Sequence, residues 1–288
     1  MQIGRMGVWF STNALDREQL TALAQSVEAF GYDVLWYPES RAWECLALGG
    51  FLLGRTERLT VGSGIANIYA RDAASARMGH DSLNNLYGGR FILGLGVSHA
   101  PLVEGFRGHH YGRPVTAMRA YLEAMAAASV DLPAPVRQVV LAALGPNMLA
   151  LSGSELADGA LPYNVTPEHT AEARRILGPE KKLCVEQMIC FTGDAKAARQ
   201  VAAAQMQRYG ALPNYRNNWL RLGFSEEEIA GNAERFLDAM VVWGGEAKIG
   251  DVLQAHFDAG ADHVAIQAHD PAGGSKPDLR ALAAFAPG

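Results

Sequence analysis

The sequence predicts a closed (β/α)8 barrel, and three observations carry that prediction. Short apolar strand signals alternate with helical periodicities along the whole chain. No linker, repeat or composition break interrupts them. After the first strand the chain reads Trp9-Phe10-Ser11-Thr12-Asn13, where a doubly wound open sheet usually shows its glycine fingerprint. The 288 residues are 49% hydrophobic, enough for one large core, and barrels of this length form single domains. One domain over residues 1–288 is expected, with a helical insertion at about 194–244.

Strand one is Met6 to Phe10. Leu20, Leu23, Ala24, Val27 and Phe30 then recur at helical spacing, and Gly31 stops that helix. Val34-Leu35-Trp36-Tyr37 is strand two, turning polar at Pro38-Glu39-Ser40-Arg41. Trp43 to Leu53 reads as a helix, Leu59 to Ser63 as strand three, and Ala73 to Tyr87 as a helix ended by Gly88-Gly89. Phe91 to Leu95 is strand four; Arg113-Pro114 fits the first turn of a helix to Ala128. Val139 to Leu144 is strand five, Met148 to Leu156 a short helix, and Asp158 to Tyr163 strand six. Thr166-Pro167-Glu168 caps a helix from His169 to Leu177, and Leu183 to Phe191 is strand seven. Asp194 to Gly244 is too long for one crossover and is expected to hold three helices. A helix from Glu246 to Ala259 and strand eight from Asp262 to Gln267 follow, joined at Gly260-Ala261-Asp262.

Composition narrows the class of function. A formal net charge of -5, without a basic patch, argues against nucleic acid, whose binding depends on neutralising phosphates. No apolar run is long enough for a membrane span. The start, Met1-Gln2-Ile3-Gly4-Arg5-Met6-Gly7, lacks an apolar signal core. Cys45, Cys184 and Cys190 are odd in number and widely spaced, which fits free thiols in a reducing compartment. A cytoplasmic location is expected.

Barrel chemistry belongs to the loops after the strands. The strand-four segment, Phe91-Ile92-Leu93-Gly94-Leu95-Gly96-Val97-Ser98-His99, runs from apolar residues through glycines to a hydroxyl and an imidazole. Leu59-Thr60-Val61-Gly62-Ser63-Gly64-Ile65-Ala66-Asn67 repeats the arrangement. Glycines there let the backbone approach a bulky or anionic ligand. Two ordinary turns are the simpler reading of either segment alone; together they favour one large ligand across several strand ends. Gly94-x-Gly96 is neither a Walker loop nor a dinucleotide fingerprint, but Ser98 and its neighbouring amides could hold a phosphate. His99 is the candidate proton donor or acceptor, against a plain reading as a rim histidine. Glu39 could orient a ring nitrogen or a substrate amine, or could pair with Arg41; Asp72 could cap a helix. His109, His110, His263 and His269 lack a third partner at metal spacing, and no metal site is expected. None of Ser11, Ser40, Ser63 and Ser98 lies in a hydrolase elbow. Tyr209, Leu212, Tyr215, Trp219, Leu222 and Phe224 crowd the insertion, either as a pocket wall or as buried core.

Four segments resemble the bacterial luciferase-like superfamily and, within it, the deazaflavin-dependent oxidoreductases. They are Ala29 to Trp36, Val61 to Arg71, Gly89 to His99, and Asp258 to Gln267. The resemblance implies a (β/α)8 TIM barrel of the bacterial luciferase-like type with an insertion after strand seven. It implies a non-prolyl cis peptide at Gly64-Ile65 that backs the central ring of a flavin-like cofactor. It places that ring and its phosphate-bearing tail against Ser63, Gly64, Ile65, Asn67, Gly96, Val97, Ser98, His99, Gly159 and Ala160. His99, with Glu39 and Trp43 shaping the pocket, would carry the chemistry. Coenzyme F420 is the expected cofactor, in hydride transfer to or from a small organic substrate, by a homodimer. An FMN-dependent monooxygenase, or a non-catalytic barrel acting as a binding protein, is the alternative. Two departures stand out: Ser40 and His99 replace the histidine and glutamate of the related sugar-phosphate dehydrogenases, so that substrate is not expected.

Overall fold

A computed structural model describes residues 3–287. Met1, Gln2 and Gly288, part of the domain range expected from the sequence, lie outside the described residues. The strands are β1 (Met6–Trp9), β2 (Val34–Tyr37), β3 (Thr60–Ser63), β4 (Ala66–Asn67), β5 (Phe91–Gly96), β6 (Val139–Leu141), β7 (Gly159–Ala160), β8 (Lys182–Cys190), β9 (Val241–Trp243) and β10 (His263–His269). Every pairing between them is parallel. The ladder runs β1, β2, β3, β5, β6, β7, β8, β10, and β10 pairs β1 again, closing the barrel. β4 continues β3 past Gly64-Ile65 and pairs β5, while β9 pairs Met188 to Cys190 at the end of β8. The eight-staved (β/α)8 barrel expected from the sequence is therefore present.

The helices are α1 (Arg17–Ala29), α2 (Cys45–Leu53), α3 (Ala73–Leu86), α4 (Pro114–Ala127), α5 (Pro146–Ser152), α6 (Pro167–Leu177), α7 (Ala195–Tyr209), α8 (Pro213–Arg221), α9 (Glu226–Ala230), α10 (Glu234–Met240), α11 (Glu246–Asp258) and α12 (Leu279–Ala284). Asp16 caps α1 in a reciprocal box with Gln19, Asp72 caps α3 through Ser75, and Pro114 opens α4. Thr166, expected to cap α6, makes no side-chain bond to it; Pro167 at the first position starts that helix instead. No helix among the described residues is long and apolar enough to cross a membrane.

Strand alternation sorts the side chains into two layers. Val8, Leu35, Tyr37, Val61, Phe91, Leu93, Leu141, Val185 and Ile266 face outward and bury under the helices. Trp9, Val34, Trp36, Ile92, Val140, Leu161, Cys184 and Ala265 fill the lumen. Gly62 makes room for Trp36, whose Cε3 would lie 2.4 Å from a Cβ at that position. At the foot, the Trp36 indole donates to His263 Nε2 at 3.0 Å, which fixes the tautomer so that Nδ1 donates to the Gly4 carbonyl at 2.6 Å.

The insertion after β8 holds four helices and a strand, α7 to α10 and β9, rather than three helices. Its aromatic and apolar residues form a core of their own around Trp219, Phe224, Phe236 and Met240. Strand six is shorter than expected: Gly159 and Ala160 are its regular residues, after which the Leu161 N–H donates to the Leu141 carbonyl at 2.8 Å and the Pro162 carbonyl accepts from the Glu186 N–H at 3.1 Å.

Candidate active site

Strand three bends at its end. The Gly64-Ile65 peptide is cis, the Gly64 N–H donates to the Tyr37 carbonyl at 2.7 Å, and the Trp9 indole N–H donates to the Gly64 carbonyl at 2.9 Å. Ile65 lies against Gly96 at the end of β5; a Cβ on Gly96 would sit 2.4 Å from Ile65 Cδ1. Ile65, Gly96 and Trp9 thus share one wall of the barrel mouth.

After Gly96 the chain turns sharply. Ser98 takes a left-handed conformation with φ 57°, and a π-helical turn, Pro101–Phe106, follows. The N–H groups of Ser98, His99 and Ala100 donate to no backbone carbonyl among the described residues. Successive free amides around a left-handed residue form a concave anion-binding array. The Tyr111 hydroxyl donates to the Ser98 carbonyl at 3.2 Å and steadies the turn. His99 is half-buried, its ring centroid 5.9 Å from that of Tyr215. Burial lowers its pKa, so the imidazole is neutral at neutral pH and can accept a proton.

Several expected site residues serve the scaffold. The Glu39 carboxylate pairs with Arg71, accepts from the Asn67 N–H at 2.8 Å and from the Cys45 N–H at 3.4 Å. Its ion partner is Arg71, not Arg41, whose guanidinium lies over the Phe106 ring at 5.1 Å. Glu39 therefore fixes β4 and α2 rather than offering a free carboxylate to the pocket. The Ser63 hydroxyl donates to the Gly94 carbonyl at 2.8 Å and accepts from the Gly94 N–H at 2.9 Å, so it stitches β3 to β5 instead of facing a ligand. Asn67 Oδ1 accepts from the Tyr69 N–H at 2.9 Å, and the residue is buried. The Trp43 indole donates to the Thr12 carbonyl at 3.1 Å, leaving the ring 38% exposed at the rim.

Gly159 and Ala160 do not reach the mouth. They pair Val140 and Leu141 on one side and Lys182 and Leu183, the first residues of β8, on the other. A Cβ on Gly159 would meet the Lys182 carbonyl at 2.1 Å, so the glycine there serves strand packing. The mouth on this side is formed by Tyr163 and Asn164, three to five residues along.

The remaining wall comes from Tyr163 at the end of strand six, from Tyr209 and Tyr215 of the insertion, both expected there, and from Trp9, which was not among the candidates. Trp9 and Tyr163 have ring centroids 4.8 Å apart, Tyr163 and Tyr209 5.5 Å, Tyr209 and Tyr215 4.8 Å. The Tyr163 hydroxyl donates to Gln267 Oε1 at 2.9 Å, which leaves its oxygen to accept from Tyr209, 2.9 Å away. Tyr209 and Tyr215 bring the insertion to Tyr163 and His99 at the mouth, and Tyr215 is also buried in its core with Trp219 and Phe224. The aromatic set of the insertion is thus divided between its two expected roles. An open apolar cleft beside Gly64-Ile65 is expected from the sequence; Trp9 and Tyr163 pack with Ile65 on one side of that place. A cleft of about 400 Å³ lies to one side, lined by Ile68, Tyr69, Arg71, Asp72 and His109. Another of about 450 Å³ lies by Gly4, Glu28, Asp33 and Arg58 at the amino-terminal ends of the strands, away from the end that carries barrel chemistry.

Glu186 was absent from the sequence candidates. It lies in β8 between Cys184 and Met188 on the lumen face, fully buried. The signal was present as an acidic residue in the middle of a largely apolar strand, beside Gln187.

The family model described as "Luciferase-like monooxygenase" matches residues 3–263. A Mycobacterium tuberculosis protein provisionally named a coenzyme F420-dependent oxidoreductase is 32% identical over 127 residues, 43% of this chain and 35% of that protein. A 5,10-methylenetetrahydromethanopterin reductase of Methanolobus tindarius is 28% identical over 218 residues, 64% of each chain. The chain thus covers about a third of one relative and just under two thirds of the other. A solved F420-dependent secondary alcohol dehydrogenase, in complex with an F420-acetone adduct, shares the fold with TM-score 0.78 at 13% identity, over 99% of this chain and 97% of that one.

Proposed function

The chain belongs to the luciferase-like monooxygenase family, and from that premise we propose that it is a coenzyme F420-dependent oxidoreductase acting on a small organic substrate. Membership supports an oxidoreductase that uses a flavin or deazaflavin. The observation that carries the finer reading is the array at the end of β5, where the Ser98, His99 and Ala100 amides are free around a left-handed residue. The coenzyme is a deazaflavin bearing a phosphodiester and an anionic tail, and such an array suits the phosphodiester. One relative is named for F420, which supports the same reading.

The residues fit such a group. Gly96, lacking a Cβ, makes room for the Ile65 side chain, and Ile65 would offer an apolar surface to one face of a ring. Trp9, by holding the Gly64 carbonyl, keeps that surface in place. Val97 and Ser98 hold the turn that presents the amides. When bound, the deazaflavin supplies two-electron hydride chemistry, and the protein supplies position and electrostatics. His99, neutral and half-buried beside the array, holds or accepts a proton at an imidazole nitrogen. Tyr209 and Tyr215 exclude water from the mouth.

The test is a fluorescence titration of the purified protein with F420 and, separately, with FMN. Micromolar binding of F420 is expected. Binding of FMN with none of F420 would overturn the reading in favour of a flavin monooxygenase. Binding of neither would favour a barrel that acts without a cofactor.

A further inference from the structure

The proposed chemistry leaves one buried carboxyl unused. One oxygen of Glu186 accepts from the Asn164 N–H at 3.1 Å; the other has no hydrogen-bond partner. No Lys, Arg or His makes an ion pair with it among the described residues. Burial, opposed only by the Asn164 N–H, pushes its pKa up to about 8. Tyr163, Tyr209 and Tyr215 surround one another at centroid distances of 5.5, 6.2 and 4.8 Å, all close enough to Glu186 for its charge to raise their phenol pKa values. Two carboxamides are also short of partners: both side-chain polar atoms of Asn164, and Nδ2 of Asn218. Asn164 itself is held in a left-handed conformation, φ 58°, and its carbonyl accepts from the Trp219 indole at 3.2 Å.

A buried carboxyl with no cation beside it is costly when ionised. It can be relieved in two ways, by keeping a proton or by gaining a cation. The free protein keeps the proton near neutral pH, and the surroundings suit a cation that would replace it. Phenol rings attract cations through their faces. Tyr163 and Tyr209 are only half-buried, so the cage reaches the mouth where the substrate enters. The titratable groups that the charge of Glu186 reaches are the three tyrosines, and His99, shifted toward the neutral form by burial, packs against Tyr215 at 5.9 Å; no cation opposes the carboxylate among the described residues.

We propose that Glu186, Tyr163, Tyr209 and Tyr215 form a subsite for a cationic nitrogen of the substrate, an ammonium or iminium group. The inference names the substrate class of the mouth described above and so rests on the oxidoreductase reading. The carboxylate supplies the charge, the rings supply the walls, and the free Asn164 and Asn218 amides are placed for an adjoining polar atom. An anionic substrate would find no cation here.

The test uses the coenzyme-free protein, isothermal titration and two probes of one shape: benzylammonium and benzyl alcohol. The ammonium is expected to bind at least ~10-fold more tightly than the alcohol, the scale of a desolvated charge pair beside aromatic faces. Run near pH 7 in buffers of different ionisation enthalpy, its binding should release close to one proton as Glu186 ionises. Glu186→Gln should abolish both the preference and the proton release. Should that variant fail to fold, Tyr163→Leu should lower the preference while Tyr163→Phe keeps it. Equal binding of the two probes, no ammonium binding, or a preference that survives in Glu186→Gln would each overturn the proposal. A parallel F420 titration separates the two readings: lost coenzyme binding with the ammonium preference intact sinks the cofactor and spares the subsite.

Discussion

His99 and Glu39 show how two polar residues at strand ends come to different uses. His99 has a half-buried ring shifted toward the neutral form by burial alone. As a general acid or base it would lose ~10²–10⁴-fold in turnover on replacement by Asn. If it serves only the anion array, coenzyme affinity should fall while saturated turnover holds, and steady-state kinetics at varied F420 separate these outcomes. As a base, its activity should drop as pH falls through a midpoint below the ordinary imidazole value. Glu39 has already been satisfied three times over, by Arg71 and two backbone N–H groups. Glu39→Gln leaves Arg71, itself 9% exposed, facing a neutral amide. Breaking a buried pair from one side costs ~3 kcal/mol or more, although Glu44 also holds Arg71. Chemical denaturation should register that loss even in protein assayed without any coenzyme.

Elements were legible where periodicity was long and uninterrupted. α1, α3, α4 and α11 have continuous apolar faces and fall within a few residues of their expected limits. β2 falls where the run Val34 to Tyr37 places it. The failures have local causes. Gly159 and Ala160, placed by the resemblance at the main chain near strand six, lie deep in the ladder, and the strand-end residues expected there, Tyr163 and Asn164, reach the mouth. The π-helical turn after β5 and the two-residue β4 are too brief to have a period. Glu186 was hidden because a strand's two faces cannot be assigned to lumen or helix layer before the barrel closes. The insertion's aromatics were visible as a set, but their division required contacts. Trp219 is fully buried, stacks edge-on against Phe236 at 4.9 Å and donates to the Asn164 carbonyl. Trp219→Ala should therefore cost ~3–5 kcal/mol. Hydrogen exchange should show the loss concentrated in α8 to α10, with β8 and β10 still protected; uniform loss across the barrel would mean that the insertion does not unfold as a unit.

At the scale of the whole molecule, buried titratable groups set opposing pH dependences. Burial pushes His256, His263 and His269 down to about 4, and lowers His80 and His169 as well. Between about 4 and the ordinary imidazole value near 6.5, the unfolded chain binds protons that the folded protein refuses. Stability therefore rises with pH across that window. Glu186 acts the other way. Its folded carboxyl keeps a proton up to about 8, whereas the unfolded one loses it near 4.3, so it removes stability as pH rises between those limits. Below 6.5 the several histidines outweigh the single carboxyl. Above 6.5 they have finished titrating and Glu186 acts alone, at a slope of no more than ~1.4 kcal/mol per pH unit. Melting temperature should accordingly peak near pH 6.5 and fall toward pH 8. In Glu186→Gln, which cannot ionise, the acid limb should remain and the fall between pH 6.5 and 8 should flatten. A wild-type profile that is level from pH 6.5 to 8 would mean that Glu186 already has a counter-charge, and would count against the cation subsite built on its having none.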